Sequence, residues 1–169
     1  MLGVLDPEGA HLAALRRLAD FSRARVLEVG CGDGRLTLEI AEHAESVFAF
    51  DPETLVPNGI ILDLQVIRPD PRVETVDGRL LCQADGTALF EYADAAREAV
   101  DLFIRERLLE EEAVDDHDVA QHYSTGVELV EDWEPKKRTL PVERLPFLRS
   151  FQRECVVRER CRLRRLRRE

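Results

Sequence analysis

The pattern of apolar positions in the first third of the chain predicts a helix, a strand, a second helix and a second strand. Asp6 followed by Pro7 marks the first helix start, because a capping oxygen precedes a first-turn proline. Apolar residues then recur at helical spacing, whereas short continuous apolar runs indicate buried strands. The four predicted elements span about 6–21, 25–29, 36–44 and 46–50.

Strand-like patterns dominate the remainder of the chain. Asp77-Gly78 between two apolar runs predicts a tight hairpin turn. Long helical periodicity follows it, and the chain closes on a strand rich in arginine. The predicted strands cover 59–67, 114–123 and 154–166, the hairpin covers 72–82, and the predicted helices cover 90–109, 126–133 and 142–151.

Length and composition indicate one soluble domain. The chain has 169 residues, of which 44% are hydrophobic, and a formal net charge of −10. This net charge disfavours nucleic acid as a partner held by bulk electrostatics. No apolar run is long enough for a membrane span and the amino terminus lacks a leader pattern, so we expect a cytoplasmic protein. The four cysteines show no metal-ligand spacing and are read as small buried hydrophobes, and we expect no metal site.

The segment Arg153–Arg168 contains eight arginines. An earlier segment, Glu110–Asp118, is strongly acidic. The arginine-rich end could form an arm that binds nucleic acid. Apolar residues at Val157, Cys161 and Leu163 alternate with the arginines, which favours an amphipathic strand with its arginines in water.

The most informative stretch is Val26–Gly34, where an acid, Glu28, precedes glycines at alternate positions. Gly30, Gly32 and Gly34 allow a tight turn off the strand and a close approach of backbone to a ligand. Asp51 follows the second strand, where a carboxylate can accept hydrogen bonds from two ribose hydroxyls. The loop does not match the G-x-G-x-x-G pattern of dinucleotide-binding proteins, since Arg35 occupies the place of the third glycine. An enzyme linked to NAD is therefore disfavoured.

This stretch resembles the E/D-x-G-x-G-x-G motif of class I methyltransferases that use S-adenosyl-L-methionine (SAM). The resemblance implies that Gly30, Cys31 and Gly32 lie along the methionine and ribose of the cofactor, with Gly34 completing the loop. It also implies that Glu28 orients the methionine amino group and that Asp51 holds the ribose diol. A further segment, 55–63, resembles the stretch before the fifth strand of the family.

The two family-like segments are joined more closely than in the family, which predicts an internal deletion near residues 53–55 in one Rossmann-like domain over 1–169. The expected fold is α/β, a shortened doubly wound Rossmann-like sheet with an antiparallel C-terminal part. In this sheet of about five strands, residues 60–66 are predicted to pair directly with 26–29. The gap left by the missing strands exposes apolar surface and suggests a homodimer.

The predicted function is transfer of a methyl group from SAM to an unidentified acceptor, most simply a small molecule. The alternative is a shortened, non-catalytic relative that acts as a binding or interaction protein. No catalytic residue is assigned. His117 and His122 form the one histidine cluster near acids, but histidines on a strand more often serve packing or lie at the surface.

Overall fold

The computed structural model describes residues 4–28, 35–49, 60–133 and 139–168. These residues form a mixed α/β fold in which a short 3-10 turn at Val142–Arg144 precedes the last helix. The strands and helices, in chain order, are β1 (Val4–Leu5), α1 (Ala10–Leu18), β2 (Arg25–Glu28), α2 (Arg35–Ala41), β3 (Ser46–Ala49), β4 (Ile60–Thr75), β5 (Leu80–Gln83), α3 (Thr87–Arg105), β6 (Leu109–Tyr123), α4 (Gly126–Trp133), α5 (Leu145–Ser150) and β7 (Cys155–Arg168).

The described strands form two sheets. The larger has five antiparallel strands in the order β1-β6-β7-β4-β5, and the smaller is the parallel pair β2-β3. The α/β class and the antiparallel C-terminal part are therefore confirmed. The parallel pair stands as a sheet of its own rather than extending the larger one.

The predicted pairing of residues 60–66 with 26–29 is wrong over the described residues. Ile60–Ile67 pairs antiparallel with Arg160–Arg167 of β7, and β2 pairs with β3. The strand β4 is 16 residues long and β2 only four, so β7 offers β4 a far longer ladder of backbone hydrogen bonds than β2 could.

Local signals predicted several elements well. The hairpin between β4 and β5 turns at Asp77–Gly78, and Gly78 has a φ of 85°, which glycine adopts without a steric penalty. The arginine-rich end is a strand, as the alternation predicted, but Arg164 is buried rather than in water and pairs with Asp101 and Glu111. Helix and strand ends differ by a few residues; β6, for example, begins at Leu109 rather than 114.

The main hydrophobic core lies where α4 and α5 cover one end of the large sheet. At its centre, Trp133 Nε1 donates to the hydroxyl of Tyr123 at 2.9 Å, and that hydroxyl donates to Asp132 at 2.6 Å. Tyr123 and Trp133 are almost completely buried, so this chain satisfies the polar atoms of both aromatic side chains. The other buried members are Val73, Leu81, Cys82, Ala84, Leu129, Val130, Leu140, Leu148, Phe151, Cys155 and Val157.

Three of the four cysteines, Cys82, Cys155 and Cys161, are buried and unoxidised, as the sequence predicted, while Cys31 lies outside the described residues. Burial raises the pKa of Cys82 to about 11 and that of Cys155 to about 12, which keeps both thiols protonated and unreactive. None of the helices in the described part of the chain has the length and apolar character to cross a membrane.

The start of α4 is packed too tightly for any side chain. A Cβ on Gly126 would overlap the carbonyl oxygen of Leu148 and lie 3.2 Å from Phe151 Cβ, and Gly126 N–H donates to Phe151 O at 2.9 Å.

We expect Gly126→Ala to lower the free energy of unfolding by about 2 kcal/mol or more, because α4 and α5 must move apart. Urea denaturation followed by the fluorescence of Trp133, the single tryptophan, measures this. Gly78→Ala is the control: a Cβ there meets nothing within 4 Å, so only its positive φ costs about 1 kcal/mol. Equal losses for both variants would contradict the packing argument.

Candidate functional site

The strand–helix–strand unit predicted around the glycine stretch is present in the described residues. The strands β2 and β3 are parallel and in register, with Arg25 opposite Ser46 and Glu28 opposite Ala49, and α2 lies between them in the chain. Because parallel strands share one direction, both end at the same edge of their sheet. This edge is where ligands bind in open α/β sheets.

Glu28, the last residue of β2, is the one predicted cofactor residue that the structure describes. Its carboxylate atom Oε2 accepts a hydrogen bond from Thr37 Oγ1 in the first turn of α2. The contact is partly buried and ties the end of β2 to α2. Oε2 is the only Glu28 oxygen engaged among the described contacts.

The other predicted cofactor residues lie outside the described residues. Gly30, Cys31, Gly32 and Gly34 fall in 29–34, and Asp51 falls in 50–59. The proposed deletion near 53–55 falls in the second of these segments as well.

The parallel unit is attached to the large sheet by apolar side chains. Ile40 of α2 belongs to the same hydrophobic cluster as Leu15 of α1 and Leu163 of β7, which is fully buried. Other members of this second core are Ala14, Leu18, Ala19, Phe21, Val26, Leu36, Ala44, Val47, Leu62 and Leu64. Among the described residues, side-chain packing and not strand pairing therefore holds the candidate cofactor unit on the sheet.

His117 belongs to a buried hydrogen-bond chain that the sequence did not reveal. Its Nε2 lies 3.0 Å from Nδ1 of His11 on α1, and its Nδ1 lies 3.2 Å from Asp115 Oδ1. Arg17 pairs with the same carboxylate at 2.7 Å. In a neutral His117 whose Nδ1 donates to Asp115, Nε2 accepts from Nδ1 of His11. His11 and His117 are 106 positions apart, so no local pattern could have paired them.

His122 bridges the amino-terminal segment to the sheet. It lies 2.8 Å from Glu154 through Nδ1 and 2.8 Å from Glu8 through Nε2. An imidazolium donates from both nitrogens and satisfies both carboxylates. The contacts of His117 and His122 thus tie α1 and the segment around Glu8 to β6.

Two of the clefts formed by the described residues are not lined by Glu28. One, of about 410 Å³, lies beside Asp70 and Asp85, whose carboxylates accept backbone N–H groups at the start of α3. The other, of about 260 Å³, lies between α3 and the sheet beside Asp101 and Arg164.

Comparison with models of protein families, with curated proteins and with solved structures found no match to this chain.

We expect Thr37→Val to lower the free energy of unfolding by about 1 kcal/mol, because it removes the donor to the partly buried Glu28 carboxylate. Thr37→Ser is the matched control, since it keeps the hydroxyl. Urea titration measures both variants. If Thr37→Ser loses as much as Thr37→Val, the hydrogen bond does not carry the effect.

The bridge at His122 predicts a pH dependence of stability. Burial by itself lowers the pKa of His122, but the hydrogen bonds to Glu154 and Glu8 and the negative charges of these two carboxylates together raise it by more, so the net shift is upward. A raised pKa adds stability that is complete below about pH 6.5 and is lost as the pH rises through the folded value.

The difference in unfolding free energy between the parent and His122→Gln should therefore be up to about 1 kcal/mol at pH 5.5 and shrink by pH 8. Urea titrations at each pH measure it. Glu8→Gln and Glu154→Gln, which each remove one carboxylate, should reduce the same difference. A difference that stays constant with pH would contradict the charged bridge.

Proposed function

We propose that this chain binds SAM at the carboxyl end of β2 and β3 and transfers its methyl group to a small-molecule acceptor. The observation that carries the proposal is the in-register parallel pair, in which β2 ends in Glu28 just before the glycine stretch and α2 lies between β2 and β3 in the chain. On this proposal the unit is the cofactor half of a shortened, doubly wound Rossmann-like domain. SAM supplies a methyl group activated by its positively charged sulfur.

Each residue of the proposed site would contact a different part of SAM. Glu28 orients the methionine amino group, for which an ionised carboxylate held in place by Thr37 is chemically suited. Gly30, Cys31, Gly32 and Gly34 give the ligand access to backbone. Asp51 accepts hydrogen bonds from the ribose hydroxyls.

A second candidate function is non-catalytic binding of the cofactor by a shortened relative. The observation that favours it is the pairing of β4 with β7 instead of β2. In the family that the motif resembles, the strand beside the glycine strand supplies substrate contacts. The described residues place no strand beside β2 other than β3.

The partners we propose are a small-molecule acceptor and a second copy of the chain, not nucleic acid. The arginines of β7 are already engaged within the molecule: Arg160 with Asp118 at 3.1 Å, and Arg162 with Asp116 at 2.8 Å. A cytoplasmic setting stays a prediction.

Calorimetric titration tests cofactor binding directly. We expect saturable binding of SAM and of S-adenosylhomocysteine, with affinity about tenfold to a hundredfold weaker in Glu28→Gln and Asp51→Asn, since each loses a hydrogen bond to a charged group. Glu42→Gln, at an exposed site just past α2, is the matched control and should bind like the parent.

The absence of binding of either ligand by the folded parent chain would contradict both candidate functions. Incubation with labelled SAM and small-molecule extract separates the two. Methylated product supports the enzyme, whereas binding without product supports the non-catalytic protein.

A further inference from the structure

The outer edge of β4 has no strand partner among the described residues along its first half. On one side, β7 pairs with Ile60–Ile67 without interruption. On the other side, β5 pairs with β4 only at Arg72–Glu74. Residues 60–67 therefore present backbone N–H and C=O groups along an edge that the described strands leave open.

The side chains of this edge are mostly apolar and partly exposed. The edge reads Ile60-Ile-Leu-Asp-Leu-Gln-Val-Ile67, and Ile60 is 41% exposed. The residues from 61 to 67 are all partly buried, whereas Leu163 and Leu166 on the neighbouring β7 are fully buried. An open, apolar edge of this length is a template for pairing with another strand.

The other long edge of the sheet, β6, has a different chemistry. β1 pairs only with Gln121 and His122, and the preceding part of β6 carries a dense acidic run. Two copies of that run placed side by side would bring carboxylates against carboxylates, which disfavours pairing. The charge pattern therefore protects β6 and leaves β4 as the edge open to a second copy.

We propose that two copies of this chain form a dimer in which their β4 edges pair antiparallel about a two-fold axis at Leu64. The two five-stranded sheets then join into one continuous sheet. In this register Ile61 lies opposite Ile67 of the second copy, and Leu62 opposite its Val66. No two like charges face each other between residues 60 and 68.

The charge of Asp63 favours this register, because like charges directly opposite each other disfavour strand pairing. Asp63 Oδ1 accepts from Gln65 Nε2 at 2.8 Å, whereas Asp63 Oδ2 is buried without a hydrogen-bond partner among the described residues. With the axis at Leu64, Gln65 of the second copy lies directly opposite Asp63 on the same face, so an amide and not a second carboxylate faces Asp63. An axis at Asp63 would instead oppose two carboxylates.

Sedimentation equilibrium and light scattering test the dimer without any cofactor, so the result is separable from the proposed function. We expect a species of twice the 19.3 kDa chain mass that dissociates on dilution. A parent chain that stays monomeric at the highest soluble concentration overturns the proposal.

Charge exchange tests the register. Gln65→Glu places a carboxylate opposite Asp63 of the other copy at two symmetry-related positions. This repulsion should weaken the dimer at least about tenfold. Adding Asp63→Asn to this variant removes the repulsion and should restore the dimer. Val114→Glu, at a 45% exposed position on the β6 edge, is the control and should not change the dimer. Unchanged association of Gln65→Glu, or no recovery in the double variant, overturns the register.

A cross-link provides a second measurement that tolerates some loss of stability. Residues opposite each other in antiparallel strands have Cα atoms about 4.5–5.5 Å apart, within the range for a disulfide. Leu64→Cys should therefore form a covalent dimer under mild oxidation. All three proteins carry Cys31→Ser, because the other native cysteines, Cys82, Cys155 and Cys161, are buried. Val114→Cys and the chain with Cys31→Ser alone are the controls. Equal cross-linking in all three overturns the proposed contact.

Discussion

The large sheet depends on the amphipathic strand β7. It pairs with β4 on one side and β6 on the other, so any change in its register moves both neighbours. Cys161 and Leu163 are buried, while Arg160 and Arg162, which alternate with them, reach carboxylates on β6. Between Arg160 and Leu163, a slip of one residue would turn the arginines into the core and the apolar residues out. In this stretch the alternation favours the observed pairing.

The opposite charges on β6 and β7 explain why a strongly acidic chain ends in eight arginines. The two runs face each other across one ladder, with Glu112 between Arg165 and Arg167 as a further example. Ion pairs that are this exposed contribute little free energy individually. Their effect is on partner choice, because each run would repel a copy of itself and attracts the other.

Local patterns were enough to predict the parallel unit, the Asp77–Gly78 turn and the final strand, because periodicity and turn residues act over a few positions. Strand partners were not predictable in the same way. The choice of β7 by β4 depends on a segment about a hundred residues later in the chain, and the same distance separates His11 from His117. Of the candidate site, Glu28 was placed at the expected strand end, but its bond to Thr37 depends on how α2 packs, which the motif does not encode.

The way the two sheets meet has a consequence for both proposals. The parallel unit contacts the large sheet through a core that includes Leu62 and Leu64 of β4, the strand proposed to pair with a second copy. Ordering β4 by dimerisation would restrain these two leucines and, through them, α1 and α2. If the unit binds SAM, this contact couples the two events, and coupling free energy is reciprocal. If dimerisation strengthens cofactor binding by some factor, cofactor binding then strengthens dimerisation by the same factor. The same reciprocity holds if dimerisation weakens cofactor binding.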